Sequence, residues 1–428
     1  MQYTEQLAGR ALVSATAMFA ANFSVWTLYA VLGVSIRDQL NLSATEFGVL
    51  LAAPMLSGAL LRFPVGLLAE RFSAKKIILA QALSLLPILL LLPRVHSYSG
   101  HLLAGLWLGI SGTAFVSGIR YISPWFDRRR QGTAMGIFGA GNAGAAVTLA
   151  LAPAIENWLG REMVGPVYGA AMFIAILLFA YWAPEEIPYM RSRRRSELEF
   201  HLRPLSEIRV WRFGLYYYFV FGSFLALLLW LPQYYLDAYG VSTQTAMALT
   251  LLFVALSSTV RALGGWFADR YGARAVNWSV FWTCLVCLFF LSYPPTSMTI
   301  HGIERDVQIE LEVGIELFTL LILVIGIAQG FGRASVYKIV YDNYPRYMGS
   351  VGGAVATIGA LGGFSLPVMF GIAQDIVGIH SAAFMLLYGV LAVCMLAMYL
   401  ALQRERALQR LEFARQHNFL HREDTPFG

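Results

Sequence analysis

The chain has 428 residues, of which 58% are hydrophobic and only 13% charged, and its formal charge is +6. A water-soluble domain carries roughly 25% charged residues, so an ordinary soluble globule is excluded. The positive excess sits in short loops and a C-terminal tail rather than in one patch, which excludes nucleic acid as the partner, and three cysteines, Cys284 and Cys287 in an apolar run and Cys394 alone, supply no metal or cofactor site.

Apolar runs of membrane-spanning length recur near 12–34, 46–69, 77–93, 101–124, 132–155, 164–183, 213–236, 244–268, 276–294, 315–340, 349–374 and 381–402. Backbone polar groups have no partner in hydrocarbon, so each run is expected to be a helix. Residues Met1–Arg10 are polar, and the first run exceeds a signal-peptide core, so no cleaved leader is expected. Cations concentrate at Arg71, Lys75 and Lys76, at Arg128–Arg130, at Arg191–Arg195, at Arg270 and Arg274, and from Arg404 to Arg422, while the loop at 304–316 is acidic. By the positive-inside rule both termini and the charged 184–212 segment face the cytoplasm. The organisation expected is a six-helix bundle at 1–183, a linker at 184–212, a second bundle at 213–403 and a tail at 404–428.

The second run ends in Arg62-Phe-Pro-Val-Gly66-Leu-Leu-Ala-Glu70-Arg71, and the eighth in Arg261-Ala-Leu-Gly-Gly265-Trp-Phe-Ala-Asp269-Arg270. Arginine, glycine, acid and arginine coincide at an offset of 199, the mark of a duplication. The fold class expected is an all-α membrane protein, twelve transmembrane helices in two pseudo-symmetric six-helix halves. Parallel halves of this kind resemble the major facilitator superfamily, whose substrates lie near the midplane between the halves. Glu70, Arg71, Asp269 and Arg270 are similar to that superfamily's loop signature and would form a cytoplasmic gate.

Arg62 lies nine residues before Arg71, about 13 Å along a helix axis. Half the hydrocarbon thickness is ~15 Å, so Arg62, and Arg261 by the same count, lies near mid-membrane. An arginine there costs at least ~2.5–3.5 kcal/mol and must face a cavity or a partner. Glu70, Asp127, Glu156, Asp237, Asp269, Asp342 and Asp375 all fall at span ends, which leaves a positive cavity suited to a planar oxyanion. Three further cations lie within spans. Arg333 fits an anion pathway or a gate lock, Arg120 a pathway or a structural pair, and Lys338 a pathway or an ion pair with Asp342 one turn away.

Two stretches, 131–155 and 349–371, carry glycine or alanine at most turns, and Gly132 and Gly136 shifted by 217 land on Gly349 and Gly353. Helices this bare let backbones approach closely in lipid. Ala140-Gly-Asn142-Ala-Gly144, Gly349-Ser-Val-Gly-Gly through Gly362-Gly363-Phe-Ser-Leu-Pro367, Gly332-Arg333-Ala-Ser-Val-Tyr337-Lys338 and Tyr217-Tyr-Phe-Val-Phe221 together resemble the nitrate/nitrite porter family over nearly the whole chain. The resemblance implies that Arg62 and Arg261 clamp the anion, that Asn142 and Tyr217 add hydrogen bonds, and that Phe115 and Phe221 confine it. It implies that Gly141, Gly144, Gly353, Gly362 and Gly363 form the helix-packing signature. Arg120 departs from the family pattern.

The function expected is nitrate/nitrite transport across the plasma membrane by alternating access, as a monomer in the lipid bilayer, leaning to exchange of nitrate for nitrite. Nitrate/proton symport, carriage of another small anion such as a carboxylate or organic phosphate, and a non-transporting sensor are the alternatives. No nucleophile–base pair, metal cluster or phosphate loop appears, so no enzymatic activity is expected.

Overall fold

Runs this long and apolar leave the backbone no partner but itself. The computed structural model, which describes residues 2–127, 130–186, 203–301, 306–345, 347, 348 and 350–423, folds all twelve into helices long and apolar enough to cross a membrane. Spans 1 to 6 are Glu5–Leu40, Ala44–Ala69, Ala74–Arg94, Tyr98–Trp125, Gln131–Leu159 and Arg161–Trp182. Spans 7 to 12 are Ile208–Tyr239, Thr243–Tyr271, Ala273–Leu291, Ile315–Asn343, Ser350–Val377 and Ala382–Phe413. The turns are locally encoded. Asn41 adopts a left-handed conformation that ends span 1, and Ser43 and Glu46 form a capping box that starts span 2.

Twelve crossings put both chain ends at one end of the bundle, called inner below. Span 2 packs along span 11, and span 5 along span 8. The repeat maps span 2 onto span 8 and span 5 onto span 11, so these are two copies of one contact between the halves. Of the helices that depart from regular α geometry, four line the centre of the bundle. Span 1 breaks between Gln2–Trp26 and Tyr29–Leu40, span 4 tightens to a 3₁₀ turn at Gly109–Thr113, span 5 does so at Ala140–Ala143, and span 7 widens to a π-turn at Tyr218–Gly222. Irregular backbone is tolerated at membrane depth only where protein surrounds it.

One expectation needs correction. The acidic segment before span 10 is not a plain loop: β1 (Thr296–His301) and β2 (Asp306–Leu311) pair antiparallel, with Thr296 opposite Leu311. Pro294-Pro295 stops span 9, and apolar residues then alternate at 298, 300 and at 307, 309, 311, which is the strand period. The tail continues span 12 as one helix, Ala382–Glu423. Glu405 anchors it with a 2.6 Å ion pair to Arg274. The linker arginines 191–195, with Arg128, Arg129 and Gly349, lie outside the described residues.

Candidate anion site between the halves

Arg62, Arg261 and Arg333 are each the nineteenth residue of a helix, counted from Ala44, Thr243 and Ile315. Spans 2, 8 and 10 all start at the outer end, so the three guanidinium groups lie at one level of the bundle. Each is at most 1% exposed, and no aspartate or glutamate is buried among the described residues. Three positive charges therefore share the core of the bundle without a carboxylate.

Arg62 reaches across the halves. Its Nε donates to the Gly112 carbonyl at 3.0 Å, within the 3₁₀ turn of span 4, and its Nη1 to the Ala356 carbonyl of span 11, also at 3.0 Å. The guanidinium lies over Trp26 at 4.8 Å, Phe221 at 5.2 Å and Phe115 at 5.6 Å. Arg261 repeats the arrangement from the other half, with Nη1 donating to the Gly139 carbonyl of span 5 at 3.3 Å and Cζ 5.3 Å from Phe115. Gly139 shifted by 217 is position 356, so each arginine binds the equivalent carbonyl on the glycine-rich helix of the opposite half. Phe115 lies between the two cations. Aromatic faces offset part of the cost of burying charge, at ~0.5–2 kcal/mol each.

The bare backbone of span 5 is what admits Arg261. A Cβ on Gly139 would stand 2.2 Å from its Nε and 2.3 Å from its Cζ. Three residues on, the carboxamide of Asn142 turns its oxygen toward two guanidinium groups, since the opposite orientation would set an amide NH₂ against two donors. Oδ1 then accepts from Arg333 Nη1 at 2.8 Å and from Arg261 Nη1 at 3.0 Å. Arg333 is held on its other sides by Ser257, whose carbonyl and hydroxyl accept from Nη2 at 2.6 Å, by the Gln329 carbonyl, and by Phe224, 3.8 Å below.

Tyr217 stacks on Phe221 at 5.0 Å and meets Tyr337 edge-on at 4.9 Å. Gly359, the repeat equivalent of Asn142, leaves the space that this ring fills: a Cβ there would lie 2.3 Å from Tyr217 Cδ1. Three donors at the centre remain without a hydrogen-bond partner, Arg62 Nη2, Arg261 Nε and the Tyr217 hydroxyl. A buried unmet donor costs ~1–3 kcal/mol. A small planar anion bridging the two arginines would satisfy them.

Both ends of this chamber are shut. At the inner end Asp269 accepts from the Thr133 amide and hydroxyl at 3.0 Å and pairs with Lys338 at 3.3 Å, and Lys338 also pairs with Asp342 at 3.1 Å. Arg71 and Arg270 are exposed, Arg270 lying over its neighbours Trp266 and Tyr271, and the side chain of Glu70 lies outside the described residues. At the outer end Arg37 pairs with Asp237 at 3.2 Å, and Asp375 accepts from the Thr45 amide at 2.8 Å. The contacts of Asp269 with Thr133, Arg37 with Asp237 and Asp375 with Thr45 each join one half to the other. Arg120 is buried in the helix Ala114–Ile122, about 8 Å inward of Phe115.

The five signature glycines divide. Gly141 and Gly144 press on span 1, and Gly362 and Gly363 on span 7, so these four pack within a half. A Cβ on Gly353 would lie 3.8 Å from the Arg62 carbonyl. Backbone-to-backbone approach between the halves is close instead at Gly265, whose Cβ position is 2.4 Å from the Gly132 carbonyl, and at Gly371, whose Cβ position is 2.4 Å from the Ala44 carbonyl. Sequence reasoning passed over Trp26, which carries no pattern of its own. It also passed over Ser257 and Gln329, although each stands one turn before a buried arginine on the same helix face, a legible signal.

The Major Facilitator Superfamily profile matches residues 14–367. The chain is 35% identical over 402 residues to the probable nitrate/nitrite antiporter NarK1 of Thermus thermophilus, covering 91% of each protein. It is 30% identical over 370 residues to the probable nitrate/nitrite transporter NarK2 of Mycobacterium tuberculosis, covering 85% of this chain and 89% of that one. It is 27% identical over 367 residues to the nitrite extrusion protein of Bacillus subtilis, covering 86% and 88%. The human organic anion transporter MFSD10 superposes with a TM-score of 0.71 at 14% identity, over 91% of this chain and 99% of that one, which supports the fold alone.

Proposed function

The chain belongs to the nitrate/nitrite porter family of the major facilitator superfamily, and from that premise we propose that it exchanges nitrate for nitrite across the plasma membrane by alternating access, with both termini in the cytoplasm. The anion binds between Arg62 and Arg261, flat against Phe115, and takes hydrogen bonds from Arg62 Nη2, Arg261 Nε and the Tyr217 hydroxyl. Guanidinium forks match planar oxyanions in shape as well as charge.

The observation that carries this reading is the pair of arginines tied to equivalent carbonyls of opposite halves, each keeping one unpartnered N–H, with no buried carboxylate among the described residues. Without an anion, passage through the closed state buries three like charges with no counter-charge among the described residues, so the halves rock slowly. An anion that binds the closed state more tightly than the open ones lowers that barrier by the difference, the only way in which a ligand shifts such an equilibrium. Return of the empty carrier is then slow, and a second anion must make the return trip. The one buried histidine among the described residues, His101, is the fourth residue of span 4 at the outer end, which leaves no side-chain proton relay at the depth of the arginines.

Purified protein in liposomes tests the reading. Labelled nitrate uptake should rise at least tenfold when the lumen holds nitrite and should not respond to an imposed pH gradient. Uptake driven by the pH gradient with no internal anion refutes exchange, and failure of both nitrate and nitrite to compete refutes the substrate assignment.

A further inference from the structure

We infer that Arg333 is a positioning residue for anion binding: together with Arg261 it holds the Asn142 carboxamide by its oxygen, so that this amide can offer an anion only N–H. The inference rests on the nitrate/nitrite reading of the central site.

Arg333 has little left to give a ligand. Its Nε is taken by the Gln329 carbonyl, its Nη2 by both oxygens of Ser257, its Nη1 by Asn142 Oδ1, and Phe224 covers one face. Gln329 is itself fixed by its amide on the Ser223 hydroxyl at 2.7 Å, and Ser257 by its hydroxyl on the Gly326 carbonyl. The frame around Arg333 thus belongs to spans 7, 8 and 10, and Asn142 of span 5 is its contact with the other half.

A carboxamide has one accepting end and one donating end. An asparagine beside an anion site helps only if its N–H side faces the anion, because an oxygen would repel it. One guanidinium sharing Oδ1 biases the choice. Two make the opposite orientation lose two charge-assisted hydrogen bonds and set NH₂ against two cations. Each such bond is worth enough to change an equilibrium by about 10- to 100-fold. Both bonds to Oδ1 cross between the halves, so parting span 5 from spans 8 and 10 frees the amide and loosens its hold on the anion as the chamber opens.

The test compares wild type, Arg333→Gln, Asn142→Ala and the double variant in liposomes, normalised to inserted protein, by KM and Vmax of nitrate/nitrite exchange. Arg333→Gln should raise KM about 10- to 100-fold with Vmax within about twofold, and the double variant should be no worse than Asn142→Ala. Multiplying losses in the double variant, or a fall in Vmax at unchanged KM, overturns the inference. Should Arg333→Gln fail to insert, Asn142→Asp decides: its carboxylate engages both guanidinium groups, offers no N–H and adds a negative charge, so nitrate binding should vanish, and wild-type affinity overturns the inference. A wild type that moves neither nitrate nor nitrite overturns the function reading only, and the four-protein comparison is then read with formate binding, under the same criteria.

Discussion

Gly139→Ala isolates the fit of Arg261 against span 5. The added methyl would stand 2.2 Å from Nε and 2.3 Å from Cζ of Arg261. Ordinary carbon contacts begin near 3.5 Å, so the guanidinium must retreat by about 1 Å. Its bonds to the Gly139 carbonyl and Asn142 Oδ1, at 3.3 and 3.0 Å, have no such slack. Losing one or both costs ~1.5–3 kcal/mol apiece, or about 10- to 1,000-fold or more in anion affinity. The helix itself should not suffer, since alanine favours helix over glycine by ~1 kcal/mol. Position 356, the repeat equivalent, already carries alanine beside Arg62, so the backbone geometry tolerates the methyl. The variant should therefore still insert, while KM for nitrate in exchange assays rises at least tenfold. Wild-type KM in Gly139→Ala would refute the close approach of Arg261 to span 5.

Arg62→Lys and Arg261→Lys should each abolish measurable nitrate flux with insertion intact, because one ammonium cannot span the carbonyl and anion that a guanidinium fork serves together; counterflow in liposomes checks this. Gly359→Ala places a methyl 2.3 Å from Tyr217, and displacing that ring should raise KM about tenfold through loss of the hydroxyl's bond, with binding of labelled nitrate as the readout. Thr133→Val removes one hydroxyl bond to Asp269 at the inner gate, worth ~0.5–1.5 kcal/mol, so the inward-open population should rise about 2- to 10-fold. Maleimide labelling of a cysteine introduced at Ala262, between spans 5 and 8, reads that shift. Background should be low, since Cys284, Cys287 and Cys394 are all buried.

What the sequence made legible is what hydrocarbon forbids. Arg62 and Arg261 stood out because a charge at mid-depth demands a partner, and the offset of 199 placed them in one chamber before any coordinates. The offset of 217 marked spans 5 and 11 as a matched pair of bare helices, and the carbonyls of Gly139 and Ala356 are where the two arginines meet them. Asn142 was legible as an amide in need of partners, but its bond to Arg333 was not, because the meeting of spans 5 and 10 leaves no periodic trace. The inner closure was read from Asp269 and its neighbouring arginines. The geometry gives Asp269 to Thr133 and Lys338 and leaves Arg270, in the last turn of span 8, in the open over Trp266. The β1–β2 hairpin was written in alternating residues that a search for membrane helices passes over.

The claim on which the rest depends is that one planar anion lies between Arg62 and Arg261. A structure determined with nitrate bound tests it most directly. Flat density against Phe115, within hydrogen-bonding distance of Arg62 Nη2, Arg261 Nε and the Tyr217 hydroxyl, is the predicted result. Nitrate bound elsewhere, with both guanidinium groups still held by protein atoms alone, would contradict it.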